Sequence, residues 1–246
     1  MDRMLYVAMS GAKQLMQAQA VNAHNLANIN TTGFRADFLG FSSVPVDGPV
    51  FPSRVYGQVE TRGVDLNAGP IMTTARELDV AVKGNGYIAV QAPDGGEAYT
   101  RAGDLRLGSG GQLVTGAGHP VIGSGGPIAV PPYEKLEIGV DGTISIRPVG
   151  QGASALAVVD RIKLVRPEPK TLVKGEDGLL RHRDGAPISA DARAQVISGA
   201  LEGSNVSGVG TMINMIQYSR EFELNVKIMR AAEENEQRAD NLLSIA

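Results

Sequence analysis

Hydrophobic positions near the start of the chain recur at alternating spacings of three and four. Leu5, Ala8, Ala12, Leu15, Gln19, Asn22, Leu26 and Ile29 form one such frame, and Met9, Ala12, Met16, Ala20, Ala23 and Ala27 form a second stripe beside it. Residues 4–29 hold no Pro and only one Gly, Gly11. That pattern predicts an α-helix with two apolar stripes. Its polar positions are rich in amides: Gln14, Gln17, Gln19, Asn22, Asn25 and Asn28. An amide in a helix seam weakens it but fixes register, because each amide needs a particular partner.

The other end reads the same way. Thr211 to Ala246 contains neither Gly nor Pro, so a helix of about 35 residues is expected, roughly 50 Å long at ~1.5 Å per residue. Its frame is Met212, Met215, Ser219, Phe222, Val226, Met229, Glu233, Glu236 and Leu243, with Leu224, Ile228, Ala231, Leu242 and Ile245 as a second stripe. Two readings stand for these helices. Each docks on the rest of the chain, or each is buried on two sides against different helices. The length of the last helix favours the second.

Between the helices, Gly and Pro crowd residues 31–205 and the period shortens to two. Asp-Gly occurs at 47–48, 94–95, 141–142, 177–178 and 184–185, and Asn-Gly at 85–86. These dipeptides favour tight hairpins, whose central residues need positive φ. Leu78, Val80 and Val82 alternate before Asn85-Gly86, with Tyr87–Val90 after it. Leu136, Ile138 and Val140 lead into Asp141-Gly142, and Ile144 and Ile146 lead out. Leu105 and Leu107 face Leu113 across Gly108–Gly111. Short strands at this spacing predict an antiparallel sandwich or barrel. Residues 31–75 fit neither class. Phe34, Phe38, Phe41, Phe51 and Tyr56 fall there among Pro and Gly, as in an extended arm anchored by rings or a surface loop with its own cluster.

Composition narrows the chemistry. The 246 residues contain no Cys, which excludes disulfides, thiol nucleophiles, Cys-type zinc sites and iron–sulfur clusters. The net charge of −3 lacks the clustered cations of nonspecific nucleic-acid binding. No apolar run is long enough to span a membrane. The first residues lack the cationic and apolar blocks of a cleaved secretory leader. His24, His119 and His182 form no metal-ligand spacing. Gly123-Ser124-Gly125-Gly126-Pro127 resembles part of a serine-protease nucleophile segment, with His119 nearby. Triad order then fails, because the base of such proteases lies far upstream on a separate strand. Ser109 sits in a nearly identical turn, so Ser124 reads as a turn residue. No phosphate loop, cofactor site or small-molecule site is expected. A secreted β-rich hydrolase using Ser124 and His119 is the remote alternative, and a free-standing β-sandwich adhesin capped by its helices is another.

The two ends carry a positive signal. Ala23-His24-Asn25-Leu26-Ala27-Asn28-Ile29-Asn30-Thr31-Thr32-Gly33-Phe34-Arg35 closely resembles the signature of the flagellar rod–hook axial proteins. Leu201-Glu202-Gly203-Ser204-Asn205-Val206, followed by Met212, Met215-Ile216, Arg220, Phe222-Glu223, Asn225 and Lys227, is similar to that family's C-terminal signature. Leu78–Val90 and Tyr99-Thr100-Arg101-Ala102-Gly103 match the opening of its β domain. His24 departs from the usual Asn. The opening, Met1-Asp2-x-x-Leu5-Tyr6-Val7-Ala8-Met9-Ser10-Gly11-Ala12, and the length resemble the proximal-rod members, with the distal rod or another axial subunit as alternative.

The resemblance implies an α+β fold. The N- and C-terminal helices (1–33 and 206–246) would pair as a coiled-coil-like, tube-forming domain. An extended aromatic-rich arm (34–75) would lead to a central all-β outer domain (76–205). It also implies a structural, non-enzymatic rod subunit, exported through the flagellar type III apparatus without a cleaved leader into the periplasm, with neighbouring rod subunits as partners. The expected packing residues are Leu5, Leu15, Asn22, Asn25, Leu26, Asn28, Asn30, Thr31, Gly33, Phe34, Asn205, Met212, Met215, Ile216, Phe222, Val226, Met229 and Leu243. In the free monomer such helices should be partly disordered, since an isolated helix is marginal in water.

Overall fold

The computed structural model describes residues 3–45, 55–150 and 156–244. The expected turn at Asp47-Gly48 and the ring of Phe51 lie outside the described residues, as does the side chain of Leu243. The chain forms two compact units, Met1–Asn28 with Asp37–Asp65 and Val206–Ala246, and Ile29–Ala36 with Leu66–Asn205.

The first unit holds both long helices, α1 (Arg3–Ala27) and α2 (Gly208–Ser244). Ser207 caps α2, its hydroxyl accepting the Gly210 N–H at 3.2 Å, which satisfies an amide that the first turn leaves unpaired. The last turn of α1 tightens as the Asn28 N–H is shared between the carbonyls of His24 and Asn25. The same unit contains a hairpin of β1 (Asp37–Pro45) and β2 (Val55–Val64). Their antiparallel register runs from Asp37 opposite Val64 to Pro45 opposite Val55, with a bulge between Gly40 and Phe41. Both strands pack on α1. Gly63 leaves room for the ring of Phe38, which would otherwise collide with a Cβ there.

The second unit is built from short strands: β3 (Ile71–Thr73), β4 (Val80–Lys83), β5 (Tyr87–Gln91), β6 (Glu97–Thr100), β7 (Arg106–Leu107), β8 (Leu113–Val114), β9 (Tyr133–Ile138), β10 (Thr143–Pro148), β11 (Ala157–Arg161), β12 (Leu164–Val165), β13 (Leu172–Lys174), β14 (Leu180–His182), β15 (Gln195–Ser198) and β16 (Ala200–Glu202). A five-stranded sheet has the order β12-β5-β6-β14-β13, and a three-stranded sheet the order β11-β10-β9. β4 pairs with β15, β3 with β16 and β7 with β8. All these ladders are antiparallel.

One core of aliphatic side chains fills this unit, including Val80, Val82, Ile88, Val90, Leu105, Leu113, Val121, Ile128, Leu136, Ile144, Ile146 and Ile162. With few rings available, Val, Ile and Leu carry the burial. Tyr99 is the largest fully buried side chain among the described residues, and its hydroxyl accepts the Ile188 N–H at 2.8 Å. Burial, partly opposed by that hydrogen bond, pushes its phenol up to about 12.

The hairpins expected at Asp94-Gly95, Asp141-Gly142 and Asp177-Gly178 join β5 to β6, β9 to β10 and β13 to β14. Leu107 pairs with Leu113 as expected. The hairpin expected at Asn85-Gly86 does not form. Its flanking strands separate, β4 to β15 and β5 to β6 and β12. The left-handed residue is Gly84, at φ +68°, and Gly86 is buried against Val82 and Ala194. The turn therefore redirects the chain between two sheets.

Candidate assembly interface

The two helices pack against each other, and two contacts give the sense. Gly11 faces Asn225, and Asn22 Nδ2 donates to the Thr211 carbonyl at 2.7 Å. Rising numbers on α1 meet falling numbers on α2, so the pair is antiparallel. α1, which packs on α2 and on the β1–β2 hairpin, buries Ala8, Ala12, Ala18, Asn22 and Asn25 and half-buries Leu15. On α2, Thr211, Met215, Tyr218, Phe222, Asn225, Met229 and Ala232 follow a three–four spacing. Thr211 and Ala232 are buried and the others half-buried.

This seam is small and partly polar. A Cβ added at Gly11 would stand 3.1 Å from Asn225 Oδ1, while the Asn225 amide donates to the Glu221 carbonyl at 3.0 Å. Asn25 grips the start of β1 with both ends of its amide, accepting from the Asp37 N–H at 2.8 Å and donating to the Asp37 carbonyl at 2.7 Å. Asn28 donates to the His24 carbonyl at 3.0 Å. Asn22, Asn25, Asn28 and Asn225 thus find partners within this unit, whereas the buried Gln14 Nε2 has none.

Exposed apolar side chains remain on both helices. Met9 and Met16 are exposed on α1. On α2 an exposed stripe runs through Val209, Met212, Ile213, Ile216, Leu224 and Ile228. Of the expected packing residues, Leu5, Leu15, Leu26, Met215, Phe222, Val226 and Met229 are half-buried, whereas Met212 and Ile216 lie on the exposed stripe. Thr211, rather than Met212, occupies the inner seam. Its hydroxyl donates within its own helix, with the carbonyls of Ser207 and Gly208 at 3.1 and 2.9 Å. Hydrophobicity alone could not have chosen it, because close helix approach selects for small size.

The remaining expected residues belong to the β unit, which holds a buried ion cluster. Arg35, Arg101 and Glu202 are 3%, 2% and 1% exposed. Glu202 Oε1 accepts from Arg35 Nη2 at 2.6 Å and from the Gly69 N–H at 2.9 Å. Its Oε2 accepts from Arg101 Nη1 at 2.9 Å. Arg101 also donates to the carbonyls of Val82 and Gly84 and lies over the Tyr87 ring. Burial draws the Arg101 pKa below its usual range; Glu202 opposes that shift and Arg35 adds to it. The Gly33 N–H donates to the Glu202 carbonyl at 2.8 Å. Asn205 Oδ1 accepts the Ala36 N–H at 2.7 Å, and its Nδ2 donates to the Asn67 carbonyl at 3.1 Å. Lys174 donates to the Arg35 carbonyl and sits 4.1 Å from the centre of the Phe34 ring. Asn30 and Thr31 are exposed. The end of the first signature and the start of the second therefore meet inside one unit. Sequence reading found their segments but not this cluster, because its three charges lie far apart along the chain.

Ser124 and His119 occupy turns. The Ser124 N–H donates to Asp160 Oδ1, the His119 N–H donates to Thr115 Oγ1, and no hydrogen bond joins the two residues. No group of metal-ligating side chains occurs among the described residues. None of the described helices is long and apolar enough to cross a membrane.

Three family models match: "Flagella basal body rod protein" over residues 5–35, "Flagellar hook protein FlgE/F/G D1 domain" over 81–146, and "Flagellar basal body rod FlgEFG protein C-terminal" over 197–242. The chain is 44% identical to the flagellar basal-body rod protein FlgF of Salmonella typhimurium and 42% identical to that of Escherichia coli, covering all of both chains in each case. It is 31% identical to the flagellar basal-body rod protein FlgG of Bacillus subtilis, over 98% of this chain and 99% of the relative. The chain belongs to the flagellar basal-body rod protein family, most like its FlgF members, as a structural subunit of the rod.

Proposed function

We propose that the chain is a proximal-rod subunit whose outward helix stripes are covered by the helices of neighbouring rod subunits, building the shaft that spans the periplasm. The carrying observation is the exposed stripe Val209, Met212, Ile213, Ile216, Leu224 and Ile228 on α2, a helix that already packs on α1 by its other face. Head-to-tail contacts that do not close on themselves extend such a pair into a helical polymer. Burying one Ile or Leu side chain contributes about 1.5–3 kcal/mol, so covering these side chains is a substantial driving force. Whole-chain identity supports the proximal over the distal reading, since the Salmonella typhimurium and Escherichia coli FlgF relatives stand at 44% and 42% and the Bacillus subtilis FlgG relative at 31%.

In this reading the paired helices form the inner, coiled-coil-like tube and the β unit lies outside it. The subunit reaches the periplasm through the flagellar type III apparatus. Residues 3–27 form a helix that packs on α2.

The test is a charge placed on the stripe. Ile216→Asp and Ile213→Asp should abolish rod assembly and motility in cells while the purified chain keeps its β-sheet circular dichroism. Normal motility in both variants would overturn the reading.

A further inference from the structure

We propose that Glu202 is a closing lock on the β unit: Arg35 and Arg101 are tolerated side by side in its interior only once the segment around residues 200–205 seats between them. The cluster holds two guanidinium groups against one carboxylate, all nearly fully buried. Neither Arg can discharge itself, because guanidinium stays protonated in proteins. Arg35 Nε and Nη1 and Arg101 Nε have no hydrogen-bond partner, so the site carries surplus positive charge even when closed. Without Glu202, two buried like charges would share it. Breaking a buried ion group by removing one partner is strongly destabilising for this reason.

The connectivity makes the lock late. Arg35 and Arg101 precede most or much of the β unit in sequence, whereas Glu202 comes near its end. β15 and β16, which complete the ladders of β4 and β3, lie just ahead of or across it. Glu202 also binds the Gly69 and Gly33 amides, so one residue gathers segments from both sides of the unit. A chain made or released amino-terminus first therefore cannot finish this unit until about residue 205 has emerged. This inference concerns folding order and does not depend on what the helices assemble with.

The test compares three full-length variants by hydrogen exchange at the amides of Val80, Val82 and Tyr99. Glu202→Gln should speed exchange at least a hundredfold, and Arg35→Met less than tenfold. The double variant should recover at least tenfold of the loss, because it removes one of the two clashing charges. A Glu202→Gln effect within threefold of wild type would overturn the proposal, and so would a double variant no better than Glu202→Gln. If Glu202→Gln fails to fold, a folded double variant supports the lock; an unfolded double variant beside a folded Arg35→Met overturns it. Pulse labelling during refolding adds the order of events. Val80 and Val82 should gain protection together with Leu201 and Glu202, and earlier protection of Val80 and Val82 would count against the lock.

Discussion

Asn22 and Thr211, near the carboxyl end of one long helix and the amino end of the other, are joined by a buried hydrogen bond from the Asn22 amide to the Thr211 carbonyl at 2.7 Å. The bond sets where one helix stops sliding along the other, since a shift of one turn would leave a buried amide without its acceptor. Asn22→Ala should destabilise the helix pair by about 1–2 kcal/mol. Denaturant unfolding followed by far-ultraviolet circular dichroism measures it. An Asn22→Ala protein as stable as wild type would mean the bond does not set register.

Gly11 tests how closely the helices approach. Its position admits a Cβ only if Asn225 yields, because the gap to Oδ1 is 3.1 Å. Gly11→Leu should force the seam apart and cost about 1–3 kcal/mol, the usual penalty for overpacking. The same unfolding measurement checks it, and the double change Gly11→Leu with Asn225→Ala should recover part of the loss.

Gly33 is constrained twice. Its φ is +66°, and an added Cβ would lie 2.2 Å from the Arg101 carbonyl carbon. Gly33→Ala should therefore lower the stability of the β unit by more than the ~1–2 kcal/mol of left-handed strain alone. A thermal melt within error of wild type would contradict this.

Ala75 is the converse. Among the described residues it is the non-glycine residue with positive φ, at +58°. Replacing it with Gly relieves that strain, and Ala75→Gly should stabilise the protein by up to about 1 kcal/mol after the entropic cost of Gly. A lower midpoint on thermal unfolding would refute the expectation.

Two groups give opposite pH limits. Tyr99 has its pKa raised from 10.0 to about 12 by burial. Its stabilising effect is full below pH 10 and is lost as pH rises toward 12, so Tyr99→Phe should flatten the alkaline limb of a stability–pH curve. Asp177 is held below its usual carboxylate range, chiefly by the hydrogen bonds from Arg181. Its contribution is present above the ordinary carboxylate pKa and fades as pH falls through the depressed one. Asp177→Asn should remove that part of the acid limb and leave the alkaline limb unchanged.

Much of the architecture was legible because it rests on local chemistry. Gly and Pro mark where the helices stop, and Asp-Gly pairs mark hairpins at 94–95, 141–142 and 177–178. Asn85-Gly86 misled because a turn dipeptide reports a bend and not which strand receives the chain. The periodicity marked two apolar stripes on each helix but not which one faces the partner helix: Met212 and Ile216 face out, while Ala8, Ala18, Thr211 and Ala232 are buried. Arg35, Arg101 and Glu202 were visible only as members of signature stretches. Nothing local signals that charges so distant in sequence meet in an interior.

The antiparallel pairing also leaves the two helices uneven. With Gly11 level with Asn225 and Asn22 level with Thr211, Arg3 stands opposite about residue 233. α2 continues to Ser244, so it outruns Arg3 by about 17 Å at ~1.5 Å per residue. One end of the bundle is thus a single protruding rod, and the other is a pair. Such a body has a head and a tail, and stacking copies of it end over end defines an arrow along the stack.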